Sequence, residues 1–190
     1  MKYNREYEIA WQGLKPGPHT YVYDIDERFM QEKGFEDDSL QNWKAQITLG
    51  FDKHENFFML HFDIDGTVTT PCDRCGDDFD MKLWDEFNLI IKLTADDAED
   101  IEDEDDVVFI PRSETVIDVS GWVYEFLLLS VPLQHIHPTD TNGISGCNPE
   151  ALKLLDQLSE SETTEQATKT LWKGLDALKE AYDDEEVELV

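Results

Sequence analysis

Residues 43–51 read WKAQITLGF and residues 58–64 read FMLHFDI, and the fold class follows from these two runs. In the first, Trp43, Ala45, Ile47, Leu49 and Phe51 alternate with Lys44, Gln46, Thr48 and Gly50. In the second, Phe58, Leu60, Phe62 and Ile64 alternate with Met59, His61 and Asp63. A period of two gives each strand one apolar face. Turn-forming residues 52–56 lie between them, so the pair predicts an antiparallel hairpin with one face in a core.

Upstream, Tyr3, Tyr7, Ile9 and Trp11 alternate with polar residues and predict a strand. Gly13 to Pro18 is rich in turn formers, and His19, Tyr21, Tyr23 and Ile25 predict a second strand. Residues 26–33 predict a short helix that Gly34 ends. Downstream, Gly66 interrupts the hairpin's second strand and suggests a bulge. Phe79, Met81 and Leu83, then Phe87, Leu89, Ile91 and Leu93, keep one register and predict one long or bent strand. Short strands are predicted at 107–110 and 115–117. From Asp118, a candidate N-cap, the period changes to that of a helix, with Val119, Trp122, Val123, Phe126 and Leu127 on its core face until Pro132. Asn148-Pro149-Glu150 starts a further helix with Leu152, Leu155 and Leu158 as its stripe. Residues 159–164 read as a linker, and Leu171, Trp172, Leu175 and Leu178 predict a last helix.

Strands come first and helices last, with no βαβ spacing. The expected class is α+β: a mainly antiparallel sheet, strongly curved or barrel-like, followed by C-terminal helices. The expected domains are a core over 1–147, a helical appendage over 148–182 and an acidic tail over 183–190.

Charge narrows the partners. The 190 residues hold 44 Asp and Glu against 15 Lys and Arg, a net charge of -29, and nine of the eleven residues from Asp96 to Asp106 are acidic. Such a field repels phosphate, which disfavours direct binding to free RNA and favours a basic protein partner. The acidic tract itself reads as a solvated loop. No apolar segment follows the first charged residues as in a secretory signal, and no apolar run approaches the ~20 residues of a membrane span, so a cytoplasmic protein is expected.

The chemistry of the chain concentrates in Cys72-Asp73-Arg74-Cys75. Two thiolates two residues apart can face one ion, and Cys147 with His137 would complete a three-cysteine, one-histidine set for structural zinc. A redox pair and thiols without a ligand are the other readings. Redox is the weakest, because no helix N-terminus is predicted at Cys72 to depress its pKa. Arg74 is expected to pair with Asp73, Asp77 or Asp78. Neither a Gly-rich phosphate loop nor a Ser/His/Asp constellation is present, so no catalytic or organic cofactor-binding residues are expected, and a small-molecule substrate is disfavoured.

Residues 66–75, GTVTTPCDRC, and 117–132, IDVSGWVYEFLLLSVP, resemble the YceD family of large ribosomal RNA subunit accumulation proteins. Cys72, Arg74, Cys75, Leu129, Pro132, His137 and Cys147 fall on its pattern, and residues 171–179 resemble its terminal helix. The chain departs from some relatives in lacking a Gly-Leu-Cys-x-x-Cys ending and in adding the helix from Pro149. The resemblance implies a non-enzymatic factor in large-subunit biogenesis, acting on a basic ribosomal protein or an assembly intermediate. The alternative is a zinc- or thiol-based sensor unrelated to ribosomes.

Overall fold

The computed structural model describes residues 5–95 and 107–162. They belong to two compact units, Met1–His137 and Pro138–Val190. The expected terminal helix and acidic tail, and the acidic tract at 96–106, lie outside the described residues.

The first unit opens with 3-10 turns at Arg5–Tyr7 and Trp11–Gly13 around a two-residue strand, β1 (Glu8–Ile9). The long first strand expected from alternation is therefore reduced to two residue pairs. The alternation has another cause: Tyr7, Ile9 and Trp11 all enter the core, and Tyr7 stacks on Tyr23 with ring centroids 5.0 Å apart. The chain continues through β2 (Gly17–Asp26), α1 (Glu27–Glu32), β3 (Gln41–Lys53), β4 (Phe57–Pro71), β5 (Asp78–Thr94), β6 (Val107–Pro111), β7 (Ile117–Asp118) and α2 (Ser120–Leu129). Asp26 caps α1 by accepting from the Phe29 amide at 3.1 Å. Gly34 follows the helix at φ +82°, a conformation that costs glycine little.

Strands β2-β3-β4-β5-β6 form one sheet in that order, and β1 pairs with β7 separately. The ladder is antiparallel from β2 to β5, while β6 joins β5 in parallel. The class is the expected α+β, with an open sheet rather than a closed barrel. Its inner face carries Trp43, Ile47, Leu49, Phe51, Phe58, Phe62, Ile64 and Leu83, each almost wholly buried. Burying a side chain of this size stabilises by roughly 1.5–3 kcal/mol.

Helix α2 contributes Val123 and Leu127 to that core. Trp122 and Phe126 flank it half-buried. Phe126 lies flat on Phe87, with centroids 4.6 Å apart, and edge-on to Phe62. The N-cap position falls on Val119, whose side chain makes no capping bond; Asp118, the expected cap, stands one residue earlier and accepts from the Ser120 amide at 2.9 Å.

The bulge sits across the ladder from where Gly66 suggested it. Register shifts between Gln41 and Lys44 on β3, and Asn42 takes φ 54°. Gly66 marks a close approach instead. A Cβ there would lie 2.6 Å from the Ala45 Cα and 2.7 Å from the Lys44 carbonyl oxygen.

The second unit contains α3 (Pro149–Glu162). Asn148 caps it by accepting from the Glu150 amide at 3.0 Å. The helix runs past Ser159, into the segment read as linker, and its Leu155 and Leu158 are exposed.

Candidate metal centre

Strand β4 ends at Pro71 and β5 begins at Asp78, with Pro71 opposite Asp78 in register. The Cys-x-x-Cys is therefore the turn of the sheet's longest hairpin. The turn is closed by backbone bonds from the Cys72 amide to the Asp77 carbonyl, 3.0 Å, and from the Gly76 amide to the Cys72 carbonyl, 2.8 Å. Gly76 has φ +79°, which lets the chain double back directly after Cys75.

Residues 135–137, which follow α2, return to this turn. The Asp73 amide donates to the His135 carbonyl at 2.7 Å, and the His135 amide donates to the Asp73 carboxylate at 2.7 Å. The His135 ring nitrogen lies 3.2 Å from the hydroxyl of buried Thr70. This clamp delivers His137 to the thiols: its Nδ1 is 3.5 Å from the Cys75 Sγ, and its ring packs on Phe79 with centroids 4.5 Å apart. Asp73 and Thr70 were not legible as positioning residues in the sequence. The nearest signal was the carboxylate inside the Cys-x-x-Cys. Asp73 accepts from the His135 amide, and Arg74 is exposed.

Donor atoms of Cys72, Cys75 and His137 all lie within 4.8 Å of one another. A tetrahedral ion with Zn–S bonds of ~2.3 Å and Zn–N bonds of ~2.0 Å sets sulfur and nitrogen about 3.6 Å apart. The Cys75–His137 spacing matches that edge. Cys147 belongs to the second unit, where it is buried and its amide donates to the Ser145 hydroxyl at 3.2 Å. None of the three cysteines is in a disulfide.

Burial pushes the Cys72 thiol up, but the amides of His137, Arg74 and Cys75 and the His137 ring donate to the sulfur and hold it down at about 6. The turn is thus preset for a thiolate, the form that binds metal. A depressed pKa stabilises the folded state above the thiol's ordinary value of 9.0, and that contribution is lost as pH falls through about 6. In metal-free protein the ultraviolet thiolate absorbance is expected to show a step near pH 6 that Cys72→Ser abolishes. A first step only above pH 8 would contradict the turn geometry.

A family model described as large ribosomal RNA subunit accumulation protein YceD matches residues 60–179, more than half of the chain. No curated protein and no solved structure matches. Among the described residues no helix is long and apolar enough to cross a membrane.

Proposed function

We propose, since this chain belongs to the YceD family of large ribosomal RNA subunit accumulation proteins, that it acts in large-subunit biogenesis by binding rather than by catalysis. Its partner is a basic ribosomal protein or an assembling large-subunit particle, met in the cytoplasm. The observation that carries this reading, beside the family, is charge: a net -29 repels naked ribosomal RNA and speeds encounter with a basic protein. Cys72, Cys75, His137 and Cys147 hold one structural zinc. Three of these donors lie within 4.8 Å of one another in one unit, which supports the reading, and tetrahedral zinc needs a fourth. Cys147 is the remaining cysteine, and the ten residues from His137 give the chain ample reach. The ion would tie the residues after α2 to the hairpin turn and perform no step of its own.

Depletion of the protein is expected to lower large-subunit ribosomal RNA, or to accumulate its precursors, with less change in the small subunit. Sucrose-gradient profiles should show a deficit of large subunits. Unchanged subunit ratios would sink the assignment. Tight binding of purified protein to naked ribosomal RNA at physiological salt would instead overturn the argument from charge.

A further inference from the structure

We propose that the outer face of the five-stranded sheet is the docking surface for a basic protein segment that seats an apolar side chain beside Gly50. The proposal rests on the binding role above and assigns it a place.

The register defines this face. Thr20, Gly50, His61 and Asn88 form one row across β2 to β5, opposite in the pleat to buried Leu49, Phe51 and Phe62. The next row towards one end includes Met59 and Ile90, and the next towards the other includes Val22, Asp63 and Glu86. Gly50 has no side chain, so its row sinks into a hollow of about 330 Å³ walled by Met59, His61, Asn88 and Ile90. Around it the face leaves large apolar groups in solvent: Met59 is 49% exposed, Val22 54% and, two rows from the hollow, Trp84 72%. Solvated faces of antiparallel sheets are ordinarily polar. Met59 on the wall of the hollow and Trp84 further along the same face are of the residue types that carry binding energy at interfaces.

The electrostatics select the occupant. Asp63 and Glu86 are directly opposite each other across β4 and β5. Like charges in that position destabilise a ladder. The His61 ring nitrogen lies 4.0 Å from the Glu86 carboxylate. Asp24 and Asp65 lie one row further. Lys82 pairs with Asp65, at 3.6 Å. A Lys or Arg from a partner would neutralise the Asp63–Glu86 pair while its neighbouring apolar side chain filled the hollow. A nucleic acid would set phosphate against these carboxylates, and a second copy would set two chains of net -29 face to face. A basic, partly apolar polypeptide satisfies both the hollow and the charge.

The test uses the full chain and a synthetic peptide of alternating Lys and Leu. A Lys/Gly peptide and a Glu/Leu peptide are the controls. Backbone amide NMR shifts are expected to cluster at Gly50, Met59, His61, Asp63, Trp84 and Glu86. Kd is expected to rise at least tenfold in D63K/E86K and in Gly50→Leu, and at least tenfold for either control peptide. Asp63 and Glu86 are exposed, and a Cβ at Gly50 meets only ordinary contacts, so the variants should keep the fold, as their NMR spectra will report. Shifts confined to other surfaces, unchanged Kd in both variants, or a concentration-dependent dimer abolished by Gly50→Leu would overturn the proposal. Co-sedimentation with large-subunit assembly particles separates it from the reading it rests on. Failure of the wild type to co-sediment sinks the ribosomal role. Equal co-sedimentation of wild type and D63K/E86K sinks this surface alone.

Discussion

Gly66→Ala is expected to lower the thermal unfolding midpoint by roughly 10 °C. The added Cβ would fall 2.6 Å from the Ala45 Cα and 2.7 Å from the Lys44 carbonyl oxygen, and both are backbone atoms of the adjacent strand. Relief requires the two strands to part just beside the β3 bulge, where Trp43 is almost fully buried. Overpacking of this kind costs about 3 kcal/mol, and each kcal/mol is worth about 2–4 °C in a chain of this size. Gly50→Ala is the internal control. Its Cβ would meet the His61 Cβ at 3.7 Å, an ordinary contact, so removing glycine from a strand should leave stability unchanged or raise it by about 0.5 kcal/mol. Melting curves followed by circular dichroism decide the matter. A Gly66→Ala protein as stable as the wild type would contradict the strand approach described here.

The second large effect is expected on metal removal. Protein purified under reducing conditions should carry about one zinc per chain. Cys75→Ser should weaken that binding by more than ~100-fold, since loss of an outer-shell partner alone costs 10–100-fold. Chelation should remove protection from amide exchange around residues 70–79 and 133–137, and leave β3 and the middle of β4 protected by their own ladder and core. Acid should release the ion, because protons compete for the sulfurs. The readouts are elemental analysis and hydrogen exchange by mass spectrometry. Absence of bound metal together with unchanged exchange after chelation would reduce the site to a hydrogen-bonded turn.

Where side chains alternate over many residues, the sequence predicted the structure closely: β2 to β5 and their shared buried face were legible from Tyr23, Ile47, Phe62 and Leu83. Alternation misled at Tyr7, Ile9 and Trp11, since 3-10 turns can also present every second side chain to a core. The parallel partner of β5 could not be foreseen, because residues 107–110 carry no sign of strand direction. At the candidate site, the Cys-x-x-Cys and His137 were readable as donor types at plausible spacing. The clamp between Asp73 and His135 was not, because it is made of backbone amides, a carbonyl and one carboxylate, and no pattern of residue types announces it. The role of Gly66 was half legible: glycine in a strand signals a close approach or a bulge, and only the geometry separates the two.

Glu8 pairs with Asp118, and Ile9 with Ile117. For a chain made from its N-terminus onward, this means that β1 meets its strand partner only after residue 118 has been added, although Tyr7 and Trp11 find ring partners earlier, in Tyr23 and Phe58. The hairpins from β2 to β5 can form as they appear, since each needs only its sequence neighbour. The backbone of β1 must wait for β7. A nascent or truncated chain stopping short of residue 117 would therefore leave β1 without its ladder partner, and synthesis of β7 is the event that closes it.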